Sequence, residues 1–540
     1  MRRPLDLQPI SEHLRVVGPP GTGKTRFLTR EVEHDAREYG SDNVVAVSFT
    51  KAAAAELASR VETVDPDNIG TLHALAYRAI GRPDVAEDGP HLKEFSEAYP
   101  DYPMAAGFGD TEDLEFGTMG TTDGDKLLAR YGQARNLEIP RAGWFDDVKG
   151  FAHAWEEYKA DSETVDFTDM IELAVQETTA APGYPACIIA DEAQDLSRLQ
   201  FRLLCHWAGA TEKVVMACDP DQSIYGFAGA DPDVFLEVKP KKQKVLDQSY
   251  RVPRAVHAYA HQLIRRIQRR EDFAYLPKPE DGAVYSGRSA DTFRNPGRLI
   301  KRWEDHLAAG DSVLVLAPCA YMLRPTVELL RQNAIPFANP LRKKRGDWNP
   351  LGKRGEGSTV QALLDWLSPH RFGDRLWSTH EVKRWATVVA RVFRRGSGET
   401  IRNMPEEWTD ARVYECVLAC VKDDADFSAG AFGSIGGAVD WFQQHLKAAR
   451  KAPAEFACNV ARRRGIDAVA EPPRLWVGTC HSYKGGEADH VYVWPDLSQQ
   501  GFNELQHDPD PTIRLFYVAC TRAKKTLTLG HSASAQAFNW

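Results

Sequence analysis

Basic charge is in short supply along this chain. Its 67 lysines and arginines face 76 aspartates and glutamates, a net charge of −9. That balance excludes a protein that grips nucleic acid by global positive charge, although a local channel stays open because attraction is set by the charge near the phosphates. Long apolar runs are missing as well. No stretch approaches the length that crosses a bilayer, and Met1-Arg-Arg-Pro-Leu-Asp6 is not followed by the apolar run of a signal peptide. A cytoplasmic location and no membrane partner are expected. The nine cysteines are an odd number and scattered, and the one close pair, Cys416 and Cys420, lies a helical turn apart without a second pair. They read as reduced structural thiols in preference to a zinc or iron–sulfur centre. No short-period repeat or low-complexity tract is found.

What is present is the composition of a globular chain, with 43% apolar residues over 540 positions. That length exceeds one hydrophobic core and predicts roughly three to four domains. Short β-rich apolar runs recur at 44–49, 187–190, 214–217, 313–317, 476–479, 491–494 and 526–529. Separated by helical stretches, they predict an α/β fold with buried parallel strands. Two stretches break the rhythm and read as insertions into the strand-rich core. Residues 85–165 are rich in Pro, Gly, Asp and aromatics, with helical patches at 125–136 and 151–159. Residues 341–470 open on a basic segment and continue with helices predicted around 360–367, 380–393 and 438–450. Basic clusters occur at Arg265–Arg270, at Arg342–Arg345 with Lys353 and Arg354, and at Arg462–Arg464. Each alone has the pattern of a solvated face.

One segment carries chemistry at once: Gly18-Pro-Pro-Gly21-Thr-Gly23-Lys24-Thr25, between a predicted strand at 13–17 and a helical stretch at 26–32. Glycines let the backbone wrap a phosphate so that its N–H groups and the helix N-terminus face the anion. Lys24 would reach the β- and γ-phosphates of a nucleoside triphosphate, and the Thr25 hydroxyl would sit on Mg2+. A glycine-rich turn of coincident pattern is the alternative. Next, the apolar run at 187–190 delivers Asp191 and Glu192, where ligands bind in open α/β sheets. Asp191 would hold Mg2+ and Glu192 would deprotonate the attacking water, though such a pair also serves as a helix N-cap. A third run ends in Asp219-Pro-Asp-Gln222-Ser-Ile-Tyr225-Gly-Phe227. Gln222 would sense the γ-phosphate, while Tyr225 and Phe227 offer flat faces to bases or, taken alone, read as core.

With the strings Asp191-Glu-Ala-Gln-Asp195 and Asp221-Gln-Ser-Ile-Tyr-Gly226, the chain resembles the superfamily 1 DNA helicases of the UvrD/Rep/PcrA group. Further strings follow in that family's order across nearly the whole length. Phe49-Thr-Lys-Ala-Ala-Ala-Ala-Glu-Leu57 and Thr71-Leu-His73-Ala-Leu75 are similar to strand-contacting motifs, and Val165-Asp-Phe-Thr-Asp-Met170 to the segment before the acidic motif. Gln248-Ser-Tyr250-Arg251, Thr479-Cys-His481-Ser-Tyr-Lys484-Gly-Gly-Glu487 and Phe516-Tyr-Val-Ala-Cys-Thr-Arg522-Ala-Lys524 are similar to the remaining ones.

The resemblance implies two RecA-like P-loop domains with ATP between them, each interrupted by a mostly helical insert. The first would occupy 1–84 and 166–245 with its insert at 85–165, and the second 246–340 and 471–540 with its insert at 341–470. It implies that Arg251 and Arg522 stabilise charge on the γ-phosphoryl group, that Tyr250 and Arg26 sandwich adenine, and that Glu487 contacts ribose. Phe49, His73, Tyr225, Phe227, Thr479 and His481 would touch single-stranded DNA. The implied activity is 3′→5′ translocation and unwinding, with ATP and Mg2+ as cofactors, single-stranded and partly duplex DNA as partner, and a monomer or weak oligomer as active unit. A loading factor is not identifiable.

Departures narrow the transfer. Gln8 lies closer to the loop than the family's adenine-reading glutamine, which leaves nucleotide preference open. Cys218 replaces a glycine, Ala228 a DNA-contacting arginine, and Gly486 with Ala488 a Leu/Phe pair. The chain ends 18 residues after Arg522, which sets the expectation of a motor without its own nuclease. Three other readings stay open: a DNA-stimulated ATPase that translocates but unwinds poorly, a nucleotide-gated regulatory subunit, and an RNA substrate.

Overall fold

The computed structural model describes residues 12–105, 122–231, 234, 240–287, 291–343, 346–352, 354–355, 357–372, 376–390, 392–422 and 433–540. Gln8, Lys344, Arg345 and Lys353 lie outside the described residues. The chain divides into two compact units, one comprising Met1–Gly287, Leu316–Ala320 and Thr479–Trp540, the other Arg288–Val315 and Tyr321–Gly478.

The first unit is built on six strands: β1 (Glu12–Val17), β2 (Val44–Ser48), β3 (Ile69–Thr71), β4 (Cys187–Ala190), β5 (Lys213–Cys218) and β6 (Lys242–Val245). Among the described residues they form a sheet in the order β3-β2-β4-β5-β1-β6, and every neighbouring pair is parallel. β2 is Val-Val-Ala-Val-Ser and buried at every position. A strand apolar on both faces must be covered on both. Val44 and Ala46 pack with Leu28, Val32 and Leu57 on one side, while Val45 and Val47 pack with Leu72, Leu75, Ile171 and Trp207 on the other. The carboxyl ends of β1, β2, β4 and β5 therefore point to one edge of the sheet, where the phosphate loop and the acidic pair emerge.

Beyond the helix Leu72–Ala79 that follows β3, four further helices precede β4 among the described residues. Three of them, Gly89–Ala98, Asp123–Asn136 and Asp146–Asp161, close around Phe95, Tyr131, Phe151 and Trp155. This small core is rooted where Val85 bridges Val165. Arg135 fastens it to the fourth helix, Phe167–Glu177, by ion pairs to Asp166 (3.1 Å), Asp169 (2.6 Å) and Glu172 (2.6 Å).

The later strands are β7 (Gln248–Pro253), β8 (Leu276–Lys278), β9 (Ala283–Ser286), β10 (Val313–Ala317), β11 (Leu475–Thr479), β12 (Ala488–Val493) and β13 (Ala523–Leu529). Within the first unit β13 pairs in parallel with β12 and β9, and Trp494 N donates to Leu316 O (2.9 Å). The fold is thus α/β, with parallel strands flanked by helices.

The second unit is largely helical. Helices Thr359–Phe372, Thr379–Val388 and Ile435–His445 meet at stacked tryptophans, with Trp366 4.5 Å from Trp441 and 5.3 Å from Trp385. The helix expected at 380–393 stops at Val388, because Val389 bridges Leu446 and Phe393 bridges Val421. The helix expected at 438–450 is two, Ile435–His445 and Ala448–Arg464, since Ala390 N donates to His445 O and Lys447 N to Val388 O. Short-range helical pattern yields here to pairing between distant segments.

Two of the basic clusters are structural ties. Arg463 donates to Gln332 O and Arg464 to Ala334 O, closing a helix C-terminus. Arg266 donates to Asn539 O and lies over the Phe538 ring. All nine cysteines are free thiols, eight of them buried. Among the described residues no helix is long and apolar enough to cross a membrane.

Candidate functional site

The phosphate loop folds as its glycines require. Gly18 N donates to Cys218 O (2.9 Å), and the Thr22 hydroxyl closes the turn on Pro19 O (2.8 Å). A Cβ on Gly18 would stand 2.2 Å from Lys24 Cγ, and one on Gly21, whose φ is +73°, would stand 2.4 Å from Arg251 Cβ. Gly23 is left-handed too and opens the helix Lys24–Tyr39. Lys24 Nζ curls back onto Gly18 O (2.8 Å) and lies 3.8 Å from Glu192. Burial disfavours its charge, yet Glu192, Asp219 and Asp191 together hold its proton above the usual lysine range. Thr25 sits beside it in the first helical turn. Arg26 is exposed, and Tyr250, 76% exposed, reaches the loop through its backbone N–H on Gly21 O (2.9 Å).

β4 ends against β2, with Asp191 N on Val47 O (2.8 Å). Glu192 then adopts φ +51°, a left-handed conformation costing a non-glycine residue about 1–3 kcal/mol. Strain of that kind persists only where the surroundings impose it, and Glu192 faces two lysines, Lys24 and Lys484 (4.0 Å). Burial would raise its pKa, but those lysines and a hydrogen bond from Gln194 hold it at about 2. Asp191 goes the other way, up to about 7, through burial and then the Glu192 charge. Burial likewise lifts Asp195 to about 7 and Asp219 to about 6. One carboxylate is therefore fixed as an anion beside another that gains from any cation brought to it.

The segments after β11 close this edge within the same unit. Arg522 donates through Nη2 to Gln222 Oε1 (2.6 Å) and through Nε to Val518 O (2.9 Å). Arg251 donates to Glu487 Oε2 (2.7 Å). Burial and then repulsion from Arg251 push Arg522 down to about 9, so two guanidinium groups converge where negative charge is wanted. Lys484 donates to Asp195 and to Gln222 O (2.8 Å). Gln194 bonds Glu192 and accepts from Asp219 N (2.8 Å), joining the second and third motifs.

The aromatic residues gather beside this cluster. Phe49 and Tyr225 rings lie 5.0 Å apart, Phe227 and His481 5.3 Å, and Tyr225 and His481 6.2 Å. With His73 they belong to a groove of about 960 Å3 that Phe49, Phe227 and His481 line directly. Tyr225 is buried beneath, with Lys484 Nζ 5.1 Å over its ring. Thr479 faces inward, 1% exposed, and caps a turn by accepting from Ser482 N (3.1 Å). Burial and then Lys51 push His73 down to about 4, so it is neutral at physiological pH.

Residues 8–228 match the model of an AAA domain, and residues 474–529 match the UvrD-like helicase C-terminal domain. By these matches and the relatives that follow, the chain is similar to the UvrD/Rep/PcrA-like superfamily 1 helicases. It is 26% identical over 380 residues to DNA helicase II of Escherichia coli, covering 60% of this chain and 49% of that one. To ATP-dependent DNA helicase UvrD2 of Mycobacterium tuberculosis it is 27% identical over 259 residues (41% and 36%). To ATP-dependent DNA helicase PcrA of Bacillus subtilis it is 24% identical over 315 residues (53% and 42%). The chain spans about half or less of the length of these relatives.

For a UvrD-like chain the donors fit a hard divalent ion. A carboxylate at Asp191 and a hydroxyl at Thr25 are oxygen ligands of the kind Mg2+ takes, and Asp191 is buried with its charge uncompensated enough to favour protonation. Several side chains at the site escaped residue-level assignment from the sequence. Lys484, Gln194, Asp195 and Asp219 lay inside quoted motifs, but only the fold shows them bonded to one another. Phe167, edge-on to His73 at 6.2 Å, lines the groove too. Its signal was its place in Val165–Met170.

Proposed function

We propose that this UvrD-like chain is an ATP-dependent DNA helicase and translocase that moves 3′→5′ along single strands, with polarity carried by family resemblance. The domain plan proposed with it is two RecA-like halves, at 1–84 with 166–245 and at 246–340 with 471–540, each carrying an insert. The observation that carries the reading is the meeting of Arg522 with Gln222 and of Lys484 with Asp195, on segments that also bear His481 and Tyr225. Residues of the nucleotide site and of the aromatic groove thus lie on the same chain segments.

In this reading Lys24 and the loop amides receive the β- and γ-phosphates. Glu192, anionic at neutral pH, takes a proton from the attacking water as the oxygen–phosphorus bond forms and the bond to ADP breaks. Arg522 and Arg251 meet the charge that develops on the transferring group. Thr25 and Asp191 would hold Mg2+, which supplies charge neutralisation between the phosphates. Stacking on Phe49, Phe227 and Phe167 tolerates every base, as movement along any sequence requires.

The test is ATP hydrolysis with and without single-stranded DNA, then RNA, followed by unwinding of forks with a 3′ or a 5′ tail. DNA stimulation with 3′-tail unwinding is expected. Absent stimulation, or unwinding only of 5′ tails, overturns the reading. A second reading, translocation with little unwinding, is favoured by Ala228, which brings no charge to the groove it lines. Streptavidin displacement without fork opening would select it.

A further inference from the structure

The segment between helix Arg254–Ile264 and β8 belongs to none of the motifs, yet it touches two of them. Arg270 donates through Nε to both oxygens of Asp221 (2.9 and 3.0 Å), and its Nη2 lies 2.9 Å from Asp221 Oδ2. Both side chains are about nine-tenths buried, so this fork-on-carboxylate contact is shielded from water and salt. Asp221 occupies the short turn Pro220–Gln222, one residue before the glutamine that accepts from Arg522. Flanking Arg270, Gln268 N and Arg269 N donate to Asp510 (3.1 and 3.4 Å), and Arg514 donates to Arg269 O (3.3 Å). Asp510 and Arg514 belong to helix Asp510–Cys520, and Arg522 follows two residues beyond its end.

These contacts close a ring. Asp510, at the start of the helix, grips the backbone at 268–269, Arg270 grips Asp221, and Gln222 receives Arg522 from the end of the same helix. We propose that Arg270 is a positioning residue for ATP hydrolysis, a strut that fixes the Pro220–Gln222 turn against helix Asp510–Cys520 so that Gln222 and Arg522 meet in register. The inference rests on the reading of Gln222 and Arg522 as hydrolysis residues. Among the described residues Arg270 pairs with Asp221 and Asp272 and with no phosphate-loop residue or groove aromatic, so its effect must travel through Asp221. The charges facing the Asp221 carboxylate are Arg270 and, more distantly, Arg514, with Asp272 opposing them. Asp272 in turn accepts from Arg270 (2.7 Å), leaving the guanidinium with carboxylates on two sides and one orientation.

Such a strut governs the rate of the chemical step and leaves ground-state nucleotide binding alone, because a misplacement of about 1 Å at a reacting centre costs ~10^2-fold. The test uses the full chain, steady-state ATP hydrolysis with saturating single-stranded DNA, and the variants Arg270→Ala, Asp221→Asn, Gln222→Ala and Arg270→Ala/Gln222→Ala. Arg270→Ala and Asp221→Asn are each expected to lower kcat by ~10–10^2-fold with KM for ATP within about twofold. In the Gln222→Ala background, Arg270→Ala should add little further loss, since the pair acts as a unit. Arg270→Lys, which keeps charge but loses the planar fork, should rescue only partly.

Losses that multiply in the double variant, or a kcat that stays at the parent value in the folded single variants, overturn the proposal. Asp221→Asn keeps the carboxylate's shape, and it supplies the answer if Arg270→Ala does not fold. Lys24→Ala and Arg522→Ala run in parallel as controls. Retained turnover in those two refutes the nucleotide-site reading itself, whereas their failure beside multiplying Arg270 losses refutes only the strut.

Discussion

Glu192 is the residue on which the proposed chemistry turns, and its surroundings forecast how substitution behaves. Glu192→Gln keeps the size and the hydrogen bond from Gln194 but removes the base, so turnover should fall by ~10^2-fold or more while nucleotide still binds. Fluorescent-nucleotide titration beside single-turnover hydrolysis checks this, and loss of both together would give Glu192 a structural role. Lys24→Ala should abolish hydrolysis in a folded protein, because it deletes the charge facing the phosphates. Asp195 supplies a pH test. Its folded pKa of about 7 lies above the ordinary carboxylate value near 3.8. The native state therefore binds more protons than the unfolded state between those limits, and this group's contribution to stability falls as pH rises through that window. Thermal midpoints of nucleotide-free protein should show Asp195→Asn gaining on the parent from pH 5 to 7 and holding level above. A difference independent of pH would mean that Lys484 keeps Asp195 ionised throughout.

At the level of elements, the sequence was most legible where burial is two-sided. The runs expected at 187–190 and 313–317 coincide with β4 and β10, because a strand covered on both faces advertises itself as continuous apolar sequence. β6 and β9 went unseen. Lys-Gln-Lys-Val is mostly exposed and Ala-Val-Tyr-Ser at best half-buried, so neither carries such a run, and their pairing with β1 and β13 is a tertiary fact. The phosphate loop and acidic pair were legible for the same local reason, whereas the bonds of Lys484 and Gln194 join residues far apart in sequence. Arg135 illustrates that second kind of information. It is 8% exposed and serves three carboxylates of the Phe167–Glu177 helix start, holding the small helical core to that helix. Arg135→Met should cost about 3–5 kcal/mol, the usual penalty for stranding buried charges after one partner is removed. Urea unfolding measures it, and a loss under about 1 kcal/mol would show that Lys159, which also pairs with Asp166 (2.5 Å), carries the joint alone.

For the whole molecule the question is how a chain of net charge −9 would hold a polyanion. The second unit carries more lysine and arginine than acid, so the deficit of positive charge belongs to the first unit, where the aromatic groove lies. Arg130 lines that groove and is shared with Asp147 (2.6 Å). Affinity in such a groove divides into phosphate contacts, which salt weakens, and stacking, which it does not. The logarithm of single-strand affinity should therefore fall linearly with the logarithm of salt, at a slope of about −0.7 per phosphate neutralised. Phe227→Ala should lower affinity by about 1–3 kcal/mol at every salt concentration and leave the slope unchanged, since it removes a stacking face and no charge. Arg130→Gln should do the reverse, reducing the slope by about 0.7 with a loss that shrinks as salt rises. Fluorescence anisotropy on labelled single strands between low and moderate salt separates the two. If Phe227→Ala instead lowers the thermal midpoint and leaves strand affinity intact, that ring is core, and the face for bases must be sought at Phe49 and Phe167.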